Sequence, residues 1–117
     1  MSEQRREFGI NYVELGVANM AATKEFYGKA FGWSFQDWGD DYVSFAGAGV
    51  DGGFRSDAEG TIGRALIILY SANLEGALER VTAAGGAILK PIFSFPGGRR
   101  FHFADPAGNE LAIWSDG

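Results

Sequence analysis

A β-rich run from Ile10 to Val17 gives way to apolar residues at helical spacing over Met20, Thr23, Tyr27 and Phe31, with Phe26 and Ala30 widening the stripe. The switch predicts a strand followed by a helix over 20–31. Asn19 sits where an N-cap belongs, and Gly32 supplies a permissive C-terminus. Three short strands are expected next, Trp33 to Phe35, Asp41 to Phe45 and Gly49 to Arg55, with Trp38-Gly39-Asp40 and Gly47-Ala48-Gly49 as turns. The same order then returns. A strand from Gly63 to Ser71 leads to Asn73 as N-cap, and Leu74, Leu78, Val81 and Gly85 share one helical face that ends at Gly85-Gly86. Ala87 to Lys90 reads as a strand, Pro91 to Gly98 as a loop, Arg99 to Ala104 as a strand, Asp105-Pro106-Ala107-Gly108 as a tight turn, and Asn109 to Trp114 as the last strand.

The recurrence is visible in the residues themselves. Glu14 to Met20 (Glu-Leu-Gly-Val-Ala-Asn-Met) reappears as Ile68 to Leu74 (Ile-Leu-Tyr-Ser-Ala-Asn-Leu), and the step from Asn19 to Asn73 is 54 residues. At the same step Gly32 falls on Gly86, Trp33 on Ala87 and Phe35 on Leu89. Two βαβββ modules are therefore expected, 9–55 and 63–115, joined by a linker at 56–62. Neither is large enough to bury its own apolar face, so the expectation is a single α+β domain over 1–117. Its two copies of the module are expected to pair, with a ligand on the surface between them.

Charge and composition narrow the function classes. A net charge of −5, with no basic run longer than Arg5-Arg6 or Arg99-Arg100, argues against a nucleic-acid partner. The absence of cysteine removes disulfides, thiolate nucleophiles and zinc–thiolate sites. The first residues are polar with no apolar stretch behind them, and no segment has the length of a bilayer span, so a soluble, cytoplasmic protein is expected. Gly47-Ala48-Gly49 and Asp51-Gly52-Gly53 precede no helix and make no phosphate loop. Ser44, Ser71 and Ser94 stand in no nucleophile-elbow context.

The paired modules, the aromatic helix end Phe26-Tyr27 with Phe31-Gly32-Trp33, and the closing turn Phe103-Ala104-Asp105-Pro106-Ala107-Gly108-Asn109 resemble the vicinal oxygen chelate superfamily. This is the glyoxalase, bleomycin-resistance and extradiol-dioxygenase group; the resemblance covers residues 9–115 and implies that the modules pair into a curved mixed sheet, a cup or half-barrel, with the helices outside and the ligand on the concave side. It implies a divalent metal held by the first and last strands of each module in the metal-dependent members. The positions that would carry the ligands here are Tyr12, Leu66 and Ala112, with the fourth somewhere in Val50 to Arg55, where only Asp51 offers a carboxylate. Leucine and alanine cannot donate, and a neutral tyrosine is a poor ligand, so no metal or other cofactor is expected. The alternative is a divalent site rebuilt from Glu14, Asp51, His102 or Glu110.

Period-two alternation from those positions puts Ile10, Glu14, Arg64, Ile68, Tyr70, Glu110 and Trp114 on the cup side. In fosfomycin-resistance members a cavity tyrosine stands three residues before the aspartate of the closing turn, which is His102 here, and alternation adds Arg100. Phe101 and Phe103 would then face the helices. Glu14 and His102 are the candidate catalytic groups; Tyr12, Arg64, Ile68, Tyr70, Phe93, Phe95, Arg100, Ala112 and Trp114 are the candidate ligand contacts, with the 91–98 loop as a mobile lip. Plainer readings stand beside these. His102 is a core or edge histidine satisfied by a backbone carbonyl, Glu14 is an ion-pair partner of Arg64 or Arg100, Glu110 is solvated near the turn, and the aromatics are ordinary packing.

Three function classes remain open on this reading. The first is a metal-independent binder of a small aromatic or anionic metabolite or drug, with Arg64, Arg100 and His102 fixing its polar end. The second is a lyase, isomerase or dioxygenase-like enzyme that moves a proton through Glu14 or His102. The third is a protein acting through dimerisation alone. A homodimer is expected in any case, because so short a chain leaves strand edges and apolar faces uncovered.

Overall fold

Asn19 and Asn73 begin the two helices in the same way. Each holds an extended backbone, and each side chain accepts from the amide three residues on, Ala22 and Gly76 respectively. In the computed structural model, which describes residues 5–56 and 62–117, the elements run β1 (Ile10–Gly16), α1 (Met20–Phe31), β2 (Ser34–Asp37), β3 (Tyr42–Ala46), β4 (Asp51–Arg55), β5 (Ala65–Tyr70), α2 (Leu74–Ala83), β6 (Ala87–Phe95), β7 (Gly98–Ala104) and β8 (Glu110–Ser115). Most of the expected linker at 56–62 lies outside the described residues. Two helices with strands paired both ways make this an α+β fold with a mixed sheet. The chain forms two compact units, Tyr12–Leu66 and a second made of 5–11 with Ile67–Gly117.

In the Tyr12–Leu66 unit the strands lie in the order β2-β3-β4-β1, with β4 and β1 parallel and the other pairs antiparallel. Val43, Phe45 and Phe54 are buried and pack with Leu15, Met20, Tyr27, Trp33 and Phe35, so this face of the strands carries α1. Gly52 lets Phe45 lie flat across β4, since a Cβ there would run into the Phe45 ring and the Val13 carbonyl. Alternation sends Tyr12, Glu14, Tyr42, Ser44 and Arg55 to the other face, with register pairs Glu14 with Gly53 and Tyr42 with Arg55.

The second unit repeats the plan as β5-β8-β7-β6, with β5 and β8 parallel. Leu74 and Ala77 of α2 pack with Phe101 and Ile113, and Leu69, Leu78, Val81, Ile88 and Phe103 complete that core. One expectation is corrected here. Residues 91–95 are not a loop: β6 continues to Phe95, with register shifts between Ile88 and Lys90 and between Lys90 and Phe93. Pro91 lacks the N–H that a ladder needs, but β6 is the outermost strand of this run and bulges there, so the missing donor costs no pairing. Phe93 is therefore tied opposite Arg100 and Phe95 opposite Gly98, not carried on a mobile lip.

Candidate functional site

Phe101 and Phe103 point toward α2, and the residues between and beside them take the opposite face of β7. Those residues are Arg100 and His102, 8% and 2% exposed. The register sets His102 opposite Ala112, and Ala112 beside Ile68, both fully or almost fully buried. Glu110, two residues before Ala112, reaches His102 diagonally: Nδ1 lies 2.8 Å from Glu110 Oε2. Nε2 is buried and has no hydrogen-bond partner among the described residues.

These contacts fix the state of the imidazole. Burial is the largest influence and lowers the His102 pKa; the Glu110 bond opposes it, and the charges of Arg100 and Lys90 reinforce it. The ring is neutral at pH 7. A carboxylate accepts only, so Nδ1–H donates to Glu110 and Nε2 carries the lone pair. A base aligned by a carboxylate, with its other nitrogen bare and shielded from water, can accept a proton or a hydrogen bond.

Aromatic rings surround the two polar residues. The Phe93 ring is 5.7 Å from the imidazole, and the Arg100 guanidinium lies 5.6 Å from the Phe93 centroid and 5.7 Å from that of Phe95. Phe95 leads on to Trp114 at 6.3 Å, and Trp114 meets Tyr70 edge-on at 5.3 Å. The polar ends of these last two rings are taken: Trp114 Nε1 donates to Asn11 Oδ1 and the Tyr70 hydroxyl to Asp116 Oδ1, while Arg5 lies over both rings and pairs with Asp116. Arg5 and Asp116 thus close one end of the aromatic row.

Tyr12 and Glu14 belong to the other unit and form a group there. Glu14 is 4% exposed, and Arg55 Nη1 donates to its Oε1 at 3.2 Å. The Tyr12 and Tyr42 hydroxyls share a hydrogen bond, and the Tyr42 phenol is held well above its ordinary pKa by burial, then by the neighbouring Glu14 and Tyr12. Gly53 makes room for this group, since a Cβ there would meet the Tyr42 ring. Arg64 stands apart. It is exposed just before β5, and its carbonyl accepts from the Gly16 amide.

Sequence reasoning missed two members, Tyr42 and Arg55, and the bond that Glu110 makes. Arg55 lies on a strand whose facing is hidden by Gly52-Gly53, where no side chain marks the alternation, and with it the register that sets Tyr42 opposite Arg55. Glu110 was read as solvated because it adjoins the turn; with 44% of its side chain exposed it is half so, and its inner oxygen holds His102. Its parity with Ala112 already sets it on the face expected for the ligand.

The donor set does not match a divalent metal centre. The Tyr12 hydroxyl is engaged with Tyr42, Leu66 and Ala112 have no donor atom, and Asp51 is exposed opposite Tyr12. Among the described residues no three of histidine, aspartate and glutamate stand close enough to share an ion. Of the residues considered for a rebuilt site, His102 adjoins Glu110 and Glu14 adjoins Arg55.

The model of the Glyoxalase/Bleomycin resistance protein/Dioxygenase superfamily matches residues 9–113. Similar solved structures include the NAD-dependent benzaldehyde dehydrogenase from Legionella pneumophila, with TM-score 0.74, 17% identity, and coverage of 90% of this chain and 97% of that one. A glyoxalase/bleomycin resistance protein/dioxygenase superfamily member from Vibrio splendidus 12B01 aligns at TM-score 0.72 and 19% identity, over 90% of this chain and 97% of the other. The Mn(II)-bound glyoxalase from Novosphingobium aromaticivorans aligns at TM-score 0.70 and 23% identity, over 97% of this chain but 40% of that one. No curated protein sequence matches. At these identities the likeness speaks for the fold. No helix among the described residues is long and apolar enough to cross a membrane.

Proposed function

Because the chain belongs to the glyoxalase/bleomycin resistance protein/dioxygenase superfamily, whose members share a fold across several chemistries, its own side chains must decide the reading, and we propose that it binds a small aromatic molecule with an anionic end, without a metal. The observation that carries this is His102 Nε2, a buried acceptor left without a partner beside Phe93. A native structure rarely leaves such an atom unpaired, and a ligand hydroxyl or N–H would pair it. Arg100 and Lys90 supply positive charge near the imidazole, which suits a carboxylate. Arg100 and His102 are two residues apart on β7, about 6.6 Å along the strand. That spacing suits a ring with its acidic and donor groups at opposite ends. Phe93 and Phe95 provide the apolar surface for the ring.

The His102–Glu110 bond supports a second reading, in which the same pair removes a proton from a bound substrate. Nε2 would take the proton, and Glu110 would stabilise the imidazolium that results. Glu14, bonded to Arg55 in the other unit, is assigned a structural role in both readings.

Equilibrium binding of 4-hydroxybenzoate, benzoate and phenol tests the proposal. 4-Hydroxybenzoate, with both a donor and an anion, is expected to bind more tightly than either simpler compound, and His102→Leu is expected to erase its advantage over benzoate. Equal affinity of the wild type for all three, or an advantage that survives His102→Leu, would remove the proposal's basis.

A further inference from the structure

The Arg5 guanidinium rests in a corner made by two rings and a carboxylate. Its central carbon lies 5.4 Å from the centroid of Tyr70 and 4.9 Å from that of Trp114, and Nη1 pairs with Asp116 Oδ2. Parallel strands β5 and β8 set Tyr70 beside Trp114, and the two rings meet at 70°, so they form two walls instead of one flat surface. Each wall has a hold of its own, apart from Arg5. Trp114 is fixed through Nε1 by Asn11, and the Tyr70 hydroxyl donates to Asp116 Oδ1, which leaves the other carboxylate oxygen for the guanidinium. The module does not require a ring at this place, since 54 residues earlier Tyr70 corresponds to Gly16. The occupant is held more lightly. The chain is anchored beyond it, where Glu7 accepts from Ser71 Oγ at 2.6 Å and from the Ala72 amide at 2.8 Å, and the Phe8 amide donates to the Tyr70 carbonyl at 2.7 Å. The Arg5 and Asp116 side chains are 39% and 48% exposed, where an ion pair gains little over the same groups in water. Arg5 can therefore leave the corner without undoing the attachment at Glu7 and Phe8.

We propose that Tyr70, Trp114 and Asp116 form a binding site for small molecules that carry a guanidinium group, and that Arg5 is a tethered occupant which such a molecule displaces. The chemistry is what the corner offers. A guanidinium is planar and weakly hydrated, so it lies against an aromatic face, and its fork of N–H donors matches a carboxylate; an ammonium does neither as well. Asp116 is ionised at neutral pH, because the bonds from Arg5 and then from Tyr70 hold its carboxyl below the usual range. The site differs in sign from the one centred on His102, where Arg100 and Lys90 supply positive charge. Arg5 is two residues from the Glu7 anchor, and so short a tether sets its effective concentration in the millimolar range. A guest of millimolar affinity should therefore bind the occupied corner about fivefold more weakly than the vacated one.

An NMR titration with ethylguanidinium, followed at the Trp114 indole N–H, tests this independently of the aromatic acids. Arg5→Gln, with unchanged circular dichroism, should bind the compound about fivefold more tightly than the wild type. Asp116→Asn added to Arg5→Gln keeps an acceptor for the Tyr70 hydroxyl but removes the charge, and it should weaken binding by at least about fivefold. Ethylammonium, which has the same charge without the planar fork, should bind Arg5→Gln several-fold more weakly than ethylguanidinium does. A Trp114 signal that stays fixed in Arg5→Gln, equal affinity of Arg5→Gln and the wild type, a double variant that binds as well as Arg5→Gln, or no preference over ethylammonium would each overturn the proposal.

Discussion

His102→Leu should leave the protein about as stable as the wild type at pH 7.5 while abolishing its ligand preference. The change exchanges two opposing terms. It removes the bond from Nδ1 to Glu110, and a hydrogen bond to a charged group contributes about 1.5–3 kcal/mol. The lower end applies here, because Glu110 is 44% exposed on its side chain and water can replace the imidazole. It also removes the buried Nε2, whose unpaired state costs about 1–3 kcal/mol. The two nearly cancel, so the expected change is within about 1 kcal/mol, against about 3–5 kcal/mol for Phe101→Ala on the other face of the same strand. Urea denaturation followed by tryptophan fluorescence measures both. The pH dependence gives a second readout. Burial depresses the His102 pKa in the folded protein, so the unfolded chain binds more protons once the pH falls below the ordinary value of about 6.5. The stability contributed by the neutral ring is fully present above that pH and is lost as pH falls toward the folded pKa. The wild type should therefore weaken between pH 6.5 and that point relative to His102→Leu. A loss above about 3 kcal/mol at pH 7.5, or identical pH profiles for the two proteins, would show that the imidazole is a satisfied structural group.

Asn19→Ala and Asn73→Ala each remove one cap bond of the same geometry and should each cost about 1 kcal/mol in urea denaturation. Gly98→Ala should cost at least about 2 kcal/mol, since its φ is +154° and a Cβ would run into the Ser115 carbonyl, whereas Gly108→Ala at φ +91° meets open space and should cost about 1 kcal/mol. Elemental analysis of the purified protein should find no stoichiometric divalent metal, and chelation should leave its thermal midpoint unchanged.

The fold was legible because its signals were local and occurred twice. Asn19 and Asn73 are caps whatever surrounds them, Gly32 adopts the left-handed φ of +76° that ends α1, and Asp105 accepts from Ala107 and Asn109 in a turn that needs Gly108. The facing of β7 came from the resemblance, which set His102 toward the ligand, and alternation then turned Phe101 and Phe103 toward the helix, where they pack. Alternation failed where side chains were missing or the strand was irregular. Gly52-Gly53 hid the register that brings Arg55 and Tyr42 to the Glu14 group. Pro91 read as a breaker because a sequence does not reveal that β6 is outermost in its run and bulges, which is the circumstance that tolerates proline. Glu110 was obscured for another reason: its partner lies on a diagonal across two strands, and diagonals depend on register.

His102 is the only histidine in the chain, so uniform ¹⁵N-histidine labelling gives a single imidazole whose two nitrogens can be assigned without ambiguity. Nitrogen NMR at pH 7.5 should show a neutral ring protonated at Nδ1, with an unprotonated Nε2 that shifts on titration with 4-hydroxybenzoate while Nδ1 keeps its proton toward Glu110. A ring protonated at Nε2, or an Nε2 resonance that stays fixed while the compound binds, would contradict the assignment of His102 as the bare acceptor at the centre of the ligand site.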